Sequence, residues 1–225
     1  MQLYLIRHAE SQNNAMSPHE RIEDPPITDA GKQQAEFLSA WTRTLAIDTL
    51  ITSPFRRALE TTREILAAVP QRVHVWHDIF ERGGCYRGYF PEEKQGAMGM
   101  GPAEIRSALN NDGTCTIDDT ISKDGWWGGN VPETDDQAAQ RAGVVAARLQ
   151  ATFGDSGKTI VAVTHADFKR LLLRAMLPGV VDPDRLGPVR NTGITKVDFD
   201  GNRWQLDWFN SVSHLPAELI TANEA

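Results

Sequence analysis

The run Ile160-Val161-Ala162-Val163, flanked by Thr159 and Thr164, offers no charged position on either side. Side chains alternate across a strand, so a strand apolar on both faces needs cover on both. Such a strand belongs in the middle of a parallel sheet, with helices above and below. It ends in His165. A second run, Leu3-Tyr4-Leu5-Ile6, reads as a buried strand by length and residue type and passes straight into Arg7-His8. Two buried strands therefore give way to a histidine. The first polar residues after such strands lie at the C-terminal edge of the sheet, where open parallel sheets bind ligands.

Taken alone, Arg7-His8 also fits a strand end with solvated charges, so the rest of the chain decides. Residues 17–26, rich in Pro and charge, read as a loop. Thr28 is a good N-cap and Asp29 suits the positive helix end, which predicts a helix to about Leu45 with Ala35 and Leu38 on its buried face. Gly31 costs helix stability unless something packs close to it. Residues 48–52 predict a second strand. Ser53 as N-cap and Pro54 at the first helical position predict a helix over 55–69. Arg56 and Arg57 in its first turn oppose the helix dipole, and an anion bound there removes the conflict.

Residues 73–76 predict a third strand. His74 and His77 on a strand face opposite ways, so they make no metal pair. Residues 85–132 show no steady period and hold many Gly, with a short helix predicted over 102–110. They read as a lid-like insertion covering a site. The paired Trp126 and Trp127 read as packing within that cover. Thr134 precedes a helix whose buried face is predicted to hold Val144, Val145, Leu149 and Phe153. The helix after His165 runs to Met176. Residues 194–199 and 203–209 read as a hairpin around Asp200-Gly201-Asn202. The tail from Ser211 reads as a loosely held end.

Composition narrows the function. The formal net charge is -7, which argues against a broad nucleic-acid-binding face, whereas a few local arginines still suffice for an anion. Cys85 and Cys115 stand in no metal or redox spacing, and a reduced cytoplasmic setting is the expectation. There is no signal-peptide pattern and no apolar run of about 18 residues, so no membrane span is expected. The sequence leaves the oligomeric state open.

Alternating strands and helices imply right-handed crossovers and a mostly parallel sheet. The strands before His8 and His165 can then lie side by side, bringing both histidines together with Arg7 and the helix start that bears Arg57. Two imidazoles and two guanidiniums at one sheet edge suit a dianion, and fixed donors stabilise a phosphoryl group in transfer. No Walker A run, dinucleotide fingerprint or carboxylate-rich metal cluster is present, so neither metal nor cofactor is expected.

Four separated stretches carry a resemblance. Leu5-Ile6-Arg7-His8-Ala9-Glu10-Ser11 with Asn14, then Thr28, Gly31, Gln34 and Ala35, then Ser53 with Arg57-Ala58, then Val163-Thr164-His165 together resemble the histidine phosphatase superfamily, also called the phosphoglycerate mutase-like family. The match runs from residue 3 to about 199. The resemblance implies a three-layer αβα sandwich forming a single domain over 1–225. It implies that His8 attacks phosphorus, that Arg7, Arg57, His165 and Asn14 bind phosphoryl oxygens, and that Glu81 protonates the leaving oxygen. A salt bridge with Arg82 is the plainer role for Glu81.

Two positions depart from the pattern: Ala9 replaces the signature glycine, and Ala166 a glycine common after the second histidine. After Glu81-Arg82 stands Gly83-Gly84-Cys85, where the family's mutases carry His-Tyr-Gly. The expectation is therefore a metal-independent phosphatase acting on a small phosphorylated metabolite through phosphohistidine. A phosphoglycerate mutase is the enzymatic alternative. A non-catalytic module that binds a phosphorylated ligand is the third.

Overall fold

The computed structural model describes residues 1–110 and 114–222. In chain order the elements are β1 (Gln2–Arg7), α1 (Gln12–Ala15), α2 (Asp29–Thr42), β2 (Thr49–Thr52), α3 (Arg56–Ala68), β3 (Val73–Val75), β4 (Tyr86–Arg87), β5 (Gln95–Gly96), α4 (Pro102–Ala108), β6 (Cys115–Ile117), α5 (Asp135–Phe153), β7 (Thr159–Thr164), α6 (Ala166–Met176), β8 (Ile194–Phe199) and β9 (Trp204–Ser211), with short 3-10 turns between some of them. The main sheet has seven strands in the order β6-β3-β2-β7-β1-β8-β9. The pairs from β6 through β1 are parallel, and β8 and β9 close one edge antiparallel.

The alternation within β1 and β7 sorts the two helical layers. Tyr4, Ile6, Val161 and Val163 pack with Leu38 of α2, Leu59 and Ile65 of α3, and Ile105 of α4. Leu3, Leu5, Ile160 and Ala162 face the other way and pack with Val145 and Leu149 of α5 and Leu172 and Leu173 of α6. This is the αβα sandwich with a mostly parallel sheet. Thr28 caps α2 by accepting from Gly31 N at 3.0 Å. At Gly31 a Cβ would run into the carbonyl oxygen of Glu10, so the helix approaches the loop after His8 as only glycine allows.

Several local expectations need correction. Helix α3 starts at Arg56 and its N-cap is Phe55, so Ser53 and Pro54 lie outside it. Its first N–H is taken instead by Asp24 Oδ1, at 2.8 Å from Arg56 N. Val144 is 58% exposed, and the buried face of α5 is carried by Val145, Leu149 and Phe153 with Ala138 and Ala142.

The stretch 85–132 is not a structureless cover. It contains the β4–β5 hairpin and α4, and its β6 pairs in parallel with β3 as an edge of the main sheet. Trp126 and Trp127 are buried beside Phe55 and Phe80. Residues 111–113 of this stretch lie outside the described residues.

The tail is also better held than expected. Asn191 N donates to Thr221 O at 2.9 Å, and Gln34 Nε2 donates to Leu219 O at 2.8 Å. Both cysteines are free thiols. Among the described residues, no helix is long and apolar enough to cross a membrane.

Candidate active site

Parallel register brings the two histidines level. Arg7 pairs with Thr164 across β1 and β7, so His8 and His165 are the next residues on neighbouring strands. His8 N donates to Thr164 O at 2.9 Å, and the imidazole centroids are 5.1 Å apart. β2 lies on the other side of β7 and delivers Ser53, whose N donates to Val163 O at 3.0 Å. The α3 helix that follows sets Arg57 between the two rings. Its Nε donates to His8 Nε2 at 3.0 Å, and its terminal amino group contacts His165 Nδ1 at 3.2 Å.

These contacts assign the ring protons. His8 Nδ1 lies 2.7 Å from Ala9 O, which can only accept, so Nδ1 carries the hydrogen and Nε2 the lone pair. His165 Nδ1 accepts from Arg57, so its Nε2 donates to Ser53 Oγ at 2.7 Å. Burial holds the pKa of His8 well below the ordinary value, and Arg57 and Arg7 push it the same way. His165 is depressed by burial first and then by Arg57 and His8. Both rings are neutral near pH 7.

Arg7 is 2% exposed, and one terminal amino group donates to Val189 O. Asn14 lies at the cleft, with its Oδ1 accepting from Ser11 N at 3.1 Å and Ser11 Oγ at 3.0 Å. The extra methyl at Ala9 points into a small apolar cluster with Ile27 and Ala35, so this departure from glycine is absorbed by packing.

Glu81 follows β3 and reaches the start of α6. Its Oε1 accepts from Phe168 N at 3.0 Å and Arg82 N at 2.9 Å. The plainer role proposed for it is not realised: the Arg82 side chain pairs with Asp167 at 2.8 Å and Asp135 at 3.3 Å instead. Burial raises the pKa of Glu81, Asp167 adds to the rise, and Arg57 opposes it.

Arg7, His8, Asn14, Arg57 and Glu81 line one cleft of about 390 Å³. His165 is fully buried beneath it and meets the cleft through Arg57. The mouth carries Arg21, Tyr86, Tyr89 and Lys94. The Arg21 guanidinium and the Lys94 ammonium lie 5.7 and 4.8 Å from the centroid of the Tyr86 ring. Among the described residues no group of three or more His, Cys, Asp or Glu is placed to hold a metal ion.

Sequence reasoning passed over three residues that touch this site. Ser53 bonds His165, Asp24 takes the first N–H of α3, and Asn191 donates to His8 O. The dipeptide Thr192-Gly193 before a strand was the one local hint of a special backbone there. Thr192 has φ +51°.

Comparisons with known proteins bear on the family and the fold. A profile of the histidine phosphatase superfamily (branch 1) matches residues 3–212. A "Probable phosphoglycerate mutase GpmB" of Enterobacter sp. (strain 638) is 26% identical over 236 residues, covering 98% of this chain and 97% of its own. A mutant phosphoserine phosphatase of Entamoeba histolytica, solved in complex with phosphoserine, superposes with a TM-score of 0.62 at 24% identity, covering 96% of this chain and 99% of its own. The ecdysone phosphate phosphatase of Bombix mori, solved with tungstate, superposes with a TM-score of 0.70 at 17% identity, covering 96% of this chain and 95% of its own.

Proposed function

The chain belongs to the histidine phosphatase superfamily, and on that premise we propose that it hydrolyses small phosphomonoesters through a phosphohistidine, without a metal. The observation that carries this reading is the arrangement of His8. Its Nδ1 is pinned by Ala9 O, its Nε2 lone pair faces the cleft residue Arg57, and its charge is suppressed by burial and two arginines. A neutral, oriented imidazole is a competent nucleophile.

In the first step His8 Nε2 forms a bond to phosphorus while the bond from phosphorus to the ester oxygen breaks. The departing oxygen takes the proton of Glu81. The charge on the equatorial oxygens is met by Arg7, Arg57 and Asn14, while His165, whose one N–H goes to Ser53, acts by holding Arg57. For this, Arg57 exchanges its bond to His8 for one to the phosphoryl group, which also frees the attacking lone pair. In the second step water attacks phosphorus, Glu81 takes the water proton, the N–P bond breaks and phosphate leaves.

A mutase shares the first step and differs only in passing the phosphoryl group to a second substrate hydroxyl. The full-length similarity to a GpmB protein favours keeping that reading second. Among the described residues Arg21 and Lys94 have no carboxylate partner, which favours a substrate whose body carries a further anionic group, as phosphoserine does. The β4–β5 hairpin, with Tyr86, Tyr89 and Lys94, is the part of 85–132 that we assign to covering the site, within one domain.

The test is a screen of metabolite phosphates that measures both phosphate release and isomerised product, with His8→Ala alongside. Wild-type turnover that resists EDTA, is inhibited by vanadate and is absent in His8→Ala supports the proposal. Turnover abolished by EDTA, or unchanged in His8→Ala, overturns it.

A further inference from the structure

We infer that Asn191 is a positioning residue for the His8 loop, and that the C-terminal segment through Thr221 is the strap that holds it; the inference rests on the reading of His8 as nucleophile. Asn191 lies in the segment between α6 and β8 and is fully buried. Its Nδ2 donates to His8 O at 3.2 Å and to Asn14 Oδ1 at 3.3 Å. Its Oδ1 accepts from Thr221 Oγ1 at 3.1 Å, and its backbone N donates to Thr221 O at 2.9 Å. The amide cannot be turned over, because that would set its oxygen against two acceptors. One side chain thus links two groups of the proposed site to Thr221.

The strap reaches the same loop a second time. Gln34, also fully buried, donates through Nε2 to Thr221 Oγ1 at 2.9 Å and to Leu219 O at 2.8 Å. Its Oε1 accepts from Glu10 N at 2.8 Å. The loop leaving His8 is therefore tied at His8 O and at Glu10 N, and both ties run to residues 219–221.

The backbone beside Asn191 is held in an unfavourable state. Thr192 is β-branched and buried, yet it has φ +51°, and its N donates to His8 O at 3.3 Å. Such strain persists only where the surroundings over-determine it, and it tends to mark functional sites. The flanking residues serve the same two site residues. Val189 O accepts from the Arg7 guanidinium. Gly193 O accepts from Arg7 N at 3.3 Å and from the buried ammonium of Lys169 at 2.9 Å. Segment 189–193 is the bed on which Arg7 and His8 rest, and the Asn191 side chain reaches both His8 and Thr221.

Geometry of this kind matters to rate more than to binding. A nucleophile displaced by a fraction of an ångström still meets substrate but loses its line of attack. Thr221 does not line the cleft, so any effect of it on turnover passes through Asn191 or Gln34.

The experiment is a double-mutant cycle with Asn191→Ala and Thr221→Val, using hydrolysis of para-nitrophenyl phosphate and the ¹⁵N signals of the His8 ring. Thr221→Ser, which keeps the hydroxyl, serves as the rescue variant. We expect kcat to fall about 10- to 100-fold in Asn191→Ala with KM nearly unchanged. Thr221→Val should fall in the same direction, Thr221→Ser should retain turnover, and the double variant should fall by less than the product of the two single effects. The His8 ring signals should shift in both single valine and alanine variants. If both variants lower thermal stability but keep kcat per folded site within about twofold, or if their effects on kcat simply add, the inference is overturned. If wild type has no turnover at all, the proposed function fails by itself. The His8 signals then decide the positioning claim: unchanged signals in Asn191→Ala overturn it, and shifted ones support it.

Discussion

Arg57 Nε lies 3.0 Å from His8 Nε2, so the nitrogen that would attack phosphorus is held by the donor that would bind the phosphoryl group. One guanidinium does three things at this point. It orients the His8 lone pair, it adds to burial in disfavouring the charged form of both imidazoles, and it sits where charge would develop in the transition state. A compact ammonium on a flexible stem cannot reproduce a planar fork that spans two rings.

Arg57→Lys and Arg57→Ala are therefore both expected to lower kcat by about 10²–10³-fold, the loss typical of a donor aimed at developing charge. In Arg57→Ala the pKa of His8 should climb back toward its ordinary value, because a nearby positive charge has been removed. Steady-state kinetics and an NMR titration of the His8 ring check the two halves. A fully active Arg57→Lys would contradict the role given to the fork.

Glu81 should act in its protonated form on the leaving oxygen. Its pKa is raised by burial and then by Asp167, so activity should decline as pH rises through that elevated value. Glu81→Gln should lose about 10²–10⁴-fold on alkyl phosphates, whose leaving groups need a proton, and far less on para-nitrophenyl phosphate. Asp167→Asn removes the like charge, so it should lower the Glu81 pKa and move the alkaline limb of the kcat profile to lower pH. A limb that stays put in that variant argues for another acid.

Asp24 gives a stability test with a defined sign. Burial pushes its pKa from 3.8 up to about 7, with Arg57 and the hydrogen bond from Arg56 N opposing. The folded protein then holds the proton more tightly than the unfolded chain, so this carboxyl costs stability as pH rises from about 4 to about 7. Asp24→Asn lacks the titration. The melting temperature of the variant relative to wild type should increase across that window and level off above it. A difference that is flat with pH, or that declines, contradicts the buried setting of Asp24.

Two glycines within helices should respond in opposite ways to alanine. At Gly31 the new methyl would collide with the Glu10 carbonyl, so Gly31→Ala should destabilise by about 1–3 kcal/mol and disturb turnover through the His8 loop. At Gly143, in α5, a Cβ meets nothing within 4 Å. Gly143→Ala should stabilise by about 0.4–1 kcal/mol with no change in kcat. Denaturant unfolding of both variants settles the contrast.

Much of the frame was legible because it depends on short-range pattern. The two-faced apolar run of β7, the strand before Arg7-His8, the Thr28 cap and the 200–202 turn each follow from a few adjacent residues. The αβα order follows from their alternation, and the motif resemblance singled out six residues, five of which line one cleft. The misreadings have a common cause. Ser53 looks like a helix cap, but its hydroxyl is claimed by His165, which is 112 positions away. The tail looks loose by composition, yet Thr221 closes on Asn191 and Gln34. Val144 has the right spacing for the core but falls just off the buried stripe.

Periodicity, which acts within one or two turns of chain, made it possible to know from the residues alone that His8 and His165 follow buried strands and that Arg57 lies in the first turn of a helix. Which strand lies beside which, and in what register, belongs to hydrogen bonds between segments far apart in the chain. That pairing set the two imidazoles level, put Arg57 between them and led residues 219–221 back beneath the first loop, because a buried polar group takes its partner from whatever the fold brings within reach.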